Sequence, residues 1–388
     1  MFRKIIFWSH LVCGVAAGLM IAIMSFTGAA LTFEKDILAW AERDTRRVPV
    51  PAPAAVRLGI DEAVARALAA RPELRVNNAV VSADPQDALI LGLPANATLA
   101  VNPYTGEARD VTAPRMRVFM QTMRAWHMRL NFKAGPGNAG ATINAAANVL
   151  FVFLAVSGLV IWWPRIWQWR VLRPSLWFTR AKGKARDWNW HNVIGFWSLP
   201  MILVLAGTGV VLSYKWANNL VFQLAGEKPP PNLIPPPPPP LNLPPPPPGT
   251  APLSSDAAVA AVQRAYPEWS LVTVRFNPPR TTAPAAGAKP PRTLSLVVKE
   301  KAPWPRFNQP TVTLDAYSGE IVRTEGYATL SPGMQARRWV RLLHSGEAMG
   351  RFVQLLSGLA CLGGCVLVYT GFALTWRRFF ATKNAPAR

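Results

Sequence analysis

Residues 10–33, HLVCGVAAGLMIAIMSFTGAALTF, and residues 191–214, HNVIGFWSLPMILVLAGTGVVLSY, decide how this chain is built. Each is an apolar run long enough to cross roughly 30 Å of hydrocarbon, which takes about 20 helical residues. Each opens on a histidine, His10 or His191, and places a glycine four residues later, Gly14 or Gly195. Thr27-Gly28 and Thr208-Gly209 then stand at matching offsets, as do Leu31 and Leu212. Two more apolar runs, 139–163 and 350–376, also end alike, in Ser157-Gly158-x4-Trp163-x-Arg165 and Thr370-Gly371-x4-Trp376-x-Arg378. Ahead of each lies Arg-x-x-His, as Arg124…His127 and Arg341…His344. Self-similarity of this kind marks a duplicated unit: span, external domain, His-bearing helix, span. The expected fold is therefore an α-helical membrane protein, a four-span helical bundle of two parallel repeats. Its spans lie at 1–33 (apolar from residue 5), 139–163, 189–214 and 350–376.

The composition fits membrane residence. Of 388 residues, 51% are hydrophobic and 16% charged, with a mean hydropathy of +0.15; soluble domains carry about 25% charged residues. A net charge of +22 would suit nucleic acid if the cations clustered on one soluble face. Instead, segments 1–4, 164–188 and 377–388, which four spans place on one side, hold 13 basic residues and one acid, Asp187. Short loops rich in Lys and Arg stay cytoplasmic. Both termini, the basic loop 164–188 and the tail 377–388 are thus assigned to the cytoplasm, with membrane lipid as a partner and no nucleic acid. The first span far exceeds the 7–15 apolar residues of a signal peptide and reads as retained.

The segments on the other side, 34–138 and 215–349, hold 28 basic and 19 acidic residues. Each opens with a helical pattern, Ile60–Ala70 and Ser255–Ala265. Strand-like runs follow at Ala79–Ser82, Ala88–Leu93 and Thr98–Val101, and again at Leu271–Phe276, Thr293–Val298 and Thr311–Leu314. Each set closes on a related turn, Tyr104-Thr-Gly106-Glu107 and Tyr317-Ser-Gly319-Glu320, where glycine suits positive φ. The expectation is two separate small α+β domains, at 34–112 and 215–332, each leading into a His-bearing interfacial segment, 113–138 and 333–349. Between 229 and 248, 14 of 20 residues are proline, a stiff, exposed polyproline II arm that could act as spacer or docking peptide.

The four histidines carry the chemistry. A lone histidine near a membrane interface is commonly a polar anchor, but here all four occupy matched repeat positions, and ionisable residues at spans default to function. Depth pairs His10 with His191 near one face and His127 with His344 near the other. Two imidazoles from facing helices can ligate a b-type haem. Cys13, Cys361 and Cys365 form no Cys-x-x-Cys-His, which excludes covalent attachment. Gly14 and Gly195, one turn beyond their histidines, clear a face for a flat macrocycle, and Gly18 extends it; close helix packing is the competing explanation. Arg124 and Arg341 share a helix face with His127 and His344 and are assigned to haem propionates, which arginine matches bidentately; an ordinary interfacial arginine is the alternative.

These motifs together resemble the PepSY-associated transmembrane family, over about residues 1–380. The resemblance is nearest to two-haem inner-membrane ferric-siderophore reductases. It implies two non-covalent b-type haems with His10, His127, His191 and His344 as axial iron ligands. It also implies PepSY-like periplasmic domains in a bacterial inner membrane, and electron transfer to a periplasmic ferric siderophore that releases Fe(II). No Gly-x-Gly-x-x-Gly fingerprint is present, so the expected electron donor is a separate flavoprotein or quinol. No catalytic acid, base or nucleophile is expected, since the cofactors carry the chemistry. The competing readings are a membrane-anchored protease inhibitor or sensor without redox activity, and a di-haem cytochrome serving another acceptor.

Overall fold

The computed structural model describes residues 1–51, 55–133, 135, 137–231, 238–282 and 291–380. Part of the proline arm (232–237), the end of the tail (381–388) and two positions of the loop before the second span (134 and 136) lie outside the described residues. The first half runs α1 (Phe2–Thr32), α2 (Glu34–Ala41), α3 (Arg43–Arg46), α4 (Ile60–Ala70), β1 (Val76–Ser82), β2 (Leu89–Gly92), β3 (Thr98–Val101), β4 (Ala108–Asp110), α5 (Pro114–Arg129) and α6 (Ala139–Trp162). After α7 (Trp169–Leu176) come α8 (Gly183–Ser213), α9 (Lys215–Leu224), α10 (Ser255–Ala265), β5 (Trp269–Arg280), β6 (Thr293–Glu300), β7 (Thr311–Asp315), β8 (Ile321–Glu325), α11 (Pro332–His344) and α12 (Arg351–Phe379). The chain divides into two compact units: Met1–Lys35, Arg115–Pro229 and Pro332–Arg388 form one, Asp36–Pro114 and Pro230–Ser331 the other.

In the helical unit, α1, α6, α8 and α12 are each long and apolar enough to cross a membrane, and the chain is a multi-pass membrane protein. Large apolar side chains such as Val12, Leu19, Phe352 and Leu359 point outward and are exposed, as lipid-facing positions are. The helices meet in a ring, with α1 against α6 and α12, and α8 against the same two. That arrangement sets α1 and α8 on one diagonal. Small residues make the close approaches: a Cβ on Gly364 would lie 2.5 Å from Ser25 Oγ, and one on Gly358 would lie 2.8 Å from Phe33. Packing through small residues is the usual device where lipid removes the hydrophobic drive between helices. Buried polar groups add crosslinks, Asn148 Nδ2 donating to Ala206 O (3.0 Å) and Gln354 Nε2 to Thr32 O (2.7 Å). The third span begins earlier than hydropathy suggests, at Gly183, and the basic loop ahead of it contains the short α7. Asn189 ties that loop down by donating to Pro174 O and Trp177 O and accepting from Thr179 N.

The second unit corrects the expectation of two separate small domains. The two segments build one antiparallel eight-stranded sheet, ordered β4-β3-β2-β1-β5-β6-β7-β8. β1 pairs with β5, Val80 opposite Thr273, so each half-sheet covers the open edge of the other, an edge that would otherwise invite foreign pairing. One core serves both halves: Val64, Ala67 and Leu68 of α4 and Val259 and Val262 of α10 bury with Leu91, Leu99, Val272 and Leu296. The two helices also cap each other. Asp256 accepts from Ile60 N (2.9 Å) and Asp61 from Ser255 N (2.8 Å), each carboxylate satisfying an orphan donor at the partner's N-terminus. Loss of such a cap typically costs about 1 kcal/mol. Asp256→Ala is accordingly expected to speed amide exchange across residues 60–70 several-fold, beyond α10 itself; unchanged exchange there would dismiss the reciprocal cap.

The paired turns behave as the sequence suggests. Gly106 and Gly319 have φ of 80° and 74°, and Asn102 and Asp315 side chains accept from Tyr104 N and Tyr317 N at 2.9 and 2.8 Å. The described part of the proline arm is mostly exposed, as expected. Arg323 donates to Pro239 O and Arg292 to Pro244 O, so residues 239–244 are tied to their own unit. Polyproline II leaves its carbonyls unpaired, and the two guanidiniums take them.

Candidate functional site

Every histidine of the chain sits in the same cradle, made by a hydroxyl residue and the glycine after it on another helix. Nδ1 of His10 lies 2.8 Å from Ser157 Oγ, and that of His191 2.9 Å from Thr370 Oγ1. Nδ1 of His127 lies 3.0 Å from Thr27 Oγ1, and that of His344 3.1 Å from Thr208 Oγ1. The following glycines bring their backbone against the rings. A Cβ on Gly158, Gly28 or Gly209 would fall 3.4, 3.3 and 3.3 Å from Cε1 of His10, His127 and His344, and one on Gly371 would fall 3.7 Å from that of His191. The Thr-Gly and Ser-Gly dipeptides, which the sequence offers only as repeat landmarks, are thus the histidine seats.

These seats fix the tautomer. A hydroxyl has one hydrogen to give, and here it goes to the helix backbone. Thr27 donates to Ile23 O (2.6 Å), Thr208 to Val204 O (2.6 Å), Thr370 to Val366 O (2.8 Å) and Ser157 to Leu154 O (3.3 Å). The hydroxyl oxygen is left as an acceptor, so Nδ1 must carry the proton. Met24 O (3.1 Å) and Leu205 O (2.9 Å) accept from His127 and His344 as well. In all four rings Nε2 therefore keeps its lone pair, the state in which imidazole binds a metal.

The rings of the outer pair come together. His127 and His344 face each other with centroids 6.1 Å apart and planes at 51°. Burial pushes His127 down to about 4, with the His344 charge adding to the effect and the Met24 carbonyl opposing it. Burial also lowers His344, so both rings are neutral at pH 7. His10 and His191, on the diagonal helices α1 and α8, are close enough to interact electrostatically. His10 and Thr27, which holds His127, are 17 residues apart on one helix, about 25 Å at 1.5 Å per residue. The two pairs therefore lie at two depths.

The outer pair has the separation that two imidazoles sharing one metal would need. Two imidazoles bound to opposite sides of one metal, with metal–nitrogen bonds of about 2.0–2.1 Å and ~1.1 Å more to each ring centre, have centres roughly 6.3 Å apart. The observed 6.1 Å meets that. A bare metal is served less well: among the described residues no three of His, Cys, Asp and Glu converge, and two imidazoles are short of a tetrahedral set.

Gly14 and Gly195 are not demanded by helix packing. A Cβ on either would meet a single leucine at ordinary contact distance, Leu154 at 3.8 Å or Leu367 at 3.6 Å. Gly18 differs, and its expected place on the same open face is corrected: a Cβ there would press on Phe372 at 2.8 Å, so it is a helix-packing glycine. Arg124 pairs with Glu34 at 2.5 Å. Arg341 has a cationic neighbour instead: its charge, after burial, lowers Arg337, which donates to Asn218 Oδ1.

A family model described as the PepSY-associated TM region matches residues 7–378. No curated protein matches the chain.

Proposed function

The chain belongs to the PepSY-associated transmembrane family, and we propose that it is a di-haem inner-membrane oxidoreductase. In this reading it passes electrons from a separate cytoplasmic flavoprotein or quinol to a ferric siderophore in the periplasm. The observation that carries the proposal is the fourfold seat: four histidines with four Nδ1 atoms committed to hydroxyls, which leaves four Nε2 lone pairs. Haem, when bound, supplies one-electron redox chemistry at two depths of the membrane. His10 and His191 would hold the inner group and His127 and His344 the outer one, in a chain made of two copies of one unit. Gly14 and Gly195 would give the inner macrocycle a flat wall. Arg341, with a cation and not an acid as neighbour, is the better placed of the two arginines for a propionate; Arg124 would have to exchange Glu34 for one. The basic excess of loop 164–188 supports cytoplasmic termini, and in this reading segments 34–138 and 215–349 are periplasmic and PepSY-like.

The acceptor follows from chemistry. Siderophores hold Fe(III) with hard oxygen ligands, and one-electron reduction to the softer Fe(II) loosens the chelate. Purified protein reduced anaerobically and mixed with a ferric hydroxamate is expected to reoxidise within seconds, with Fe(II) captured by ferrozine. Reduced bands that persist unchanged for minutes would rule out the ferric chelate as acceptor while leaving the haem assignment standing.

A further inference from the structure

The four seats are alike in outline, but one has no reserve. Nδ1 of His127 has Met24 O at 3.1 Å besides Thr27, and Nδ1 of His344 has Leu205 O at 2.9 Å besides Thr208. His191 has Thr370 Oγ1 at 2.9 Å as its hydrogen-bond partner, with the Leu367 carbonyl close by. Each of these carbonyls belongs to the residue three before the hydroxyl residue. The corresponding carbonyl at His10, Leu154 O, accepts from the Ser157 hydroxyl at 3.3 Å and, among the described residues, forms no bond with His10 Nδ1. Among the described residues, Ser157 Oγ at 2.8 Å is the one hydrogen-bond acceptor of His10 Nδ1. Serine also lacks the β-methyl that stiffens χ1 in threonine.

We infer that Ser157 is a positioning residue that sets the basicity of His10 as an axial ligand, and through it the reduction potential of the inner haem. This inference rests on the di-haem reading above. A hydrogen bond accepted from Nδ1–H pushes electron density onto Nε2 and raises ligand basicity, which favours Fe(III) over Fe(II). Removing the sole acceptor withdraws that density, and the potential rises. Removing one acceptor of two, as at His127 and His344, changes it less.

The test is an anaerobic redox titration of the purified, haem-loaded full chain, read in the visible α bands, for wild type, Ser157→Ala, Ser157→Thr and Thr208→Val. Ser157→Ala is expected to shift one haem toward the reduced form by about tenfold in the ferrous/ferric ratio, about 59 mV for one electron. Ser157→Thr keeps a hydroxyl and should stay near wild type. Thr208→Val should move the other haem by clearly less, because Leu205 O remains. An unshifted Ser157→Ala, or a Thr208→Val shift as large as that of Ser157→Ala, would overturn the inference. If Ser157→Ala loses the inner haem, retention by Ser157→Thr supports the hydroxyl's role, whereas loss from both variants assigns Ser157 to packing and overturns it. A wild-type chain that binds no haem would instead defeat the di-haem reading itself.

Discussion

Alanine in place of His344 is expected to remove one of two haems and leave the other spectrally intact. His127→Ala should remove the same haem, and His10→Ala and His191→Ala the other. The basis is the pairing: the ring centres of His127 and His344 stand 6.1 Å apart, while His10 and His191 lie near the same ends of the diagonal helices α1 and α8. A bis-histidine site that loses one imidazole loses half its axial set, and a haem held without covalent attachment then leaves during purification. Pyridine-haemochrome analysis should read close to one haem per chain for each single variant, and the double variant His127→Ala/His344→Ala should also read one. Both changes then fall on one site. The double variant His10→Ala/His127→Ala should read none. Equal loss in those two doubles would show that the pairs are wrongly drawn.

The second large effect concerns Gly195. Leucine at this position is expected to leave the helical bundle assembled while the inner haem is lost, at least tenfold in occupancy. Helix contact does not explain the glycine, since a Cβ there meets only Leu367, at an ordinary 3.6 Å. A long side chain one turn beyond His191 would, however, lie over the face that a flat macrocycle needs. Gly364→Leu is the control: a Cβ there already falls 2.5 Å from Ser25 Oγ, so this change should impair assembly itself, seen as aggregation or loss of detergent-solubilised protein. Full inner-haem occupancy in Gly195→Leu would remove that glycine from the site.

Much of this was legible in the residues, because membrane spans impose a strong pattern. Hydropathy locates all four membrane helices, and depth along them pairs His10 with His191 and His127 with His344. The turns at Gly106 and Gly319 were equally clear, since positive φ leaves few alternatives to glycine. Strands β4 and β8 escaped notice. Ala108–Asp110 is short and largely charged, and Ile321–Glu325 alternates weakly; both are edge strands, where composition avoids the apolar pattern that marks a strand. The joining of the two external segments was hidden for a different reason. It rests on the β1–β5 pairing and on Asp61 and Asp256 exchanging helix caps, contacts between residues almost two hundred apart that no local pattern encodes. The histidine seats were visible as repeat landmarks only. One Ser/Thr-Gly dipeptide closes each span, one for each histidine, and that equality of number was the available signal. That a hydroxyl donates backward to its own helix and so compels Nδ1 to donate to it emerges only from three-dimensional geometry.

The central claim is that the four seated histidines hold two haems. It is tested most directly by expressing the full chain with adequate iron, purifying it, and quantifying haem by the pyridine-haemochrome method alongside a reduced-minus-oxidised spectrum. Two b-type haems per chain and sharp α bands from bis-histidine iron are expected. Protein that is folded and membrane-extracted yet carries no haem would contradict it.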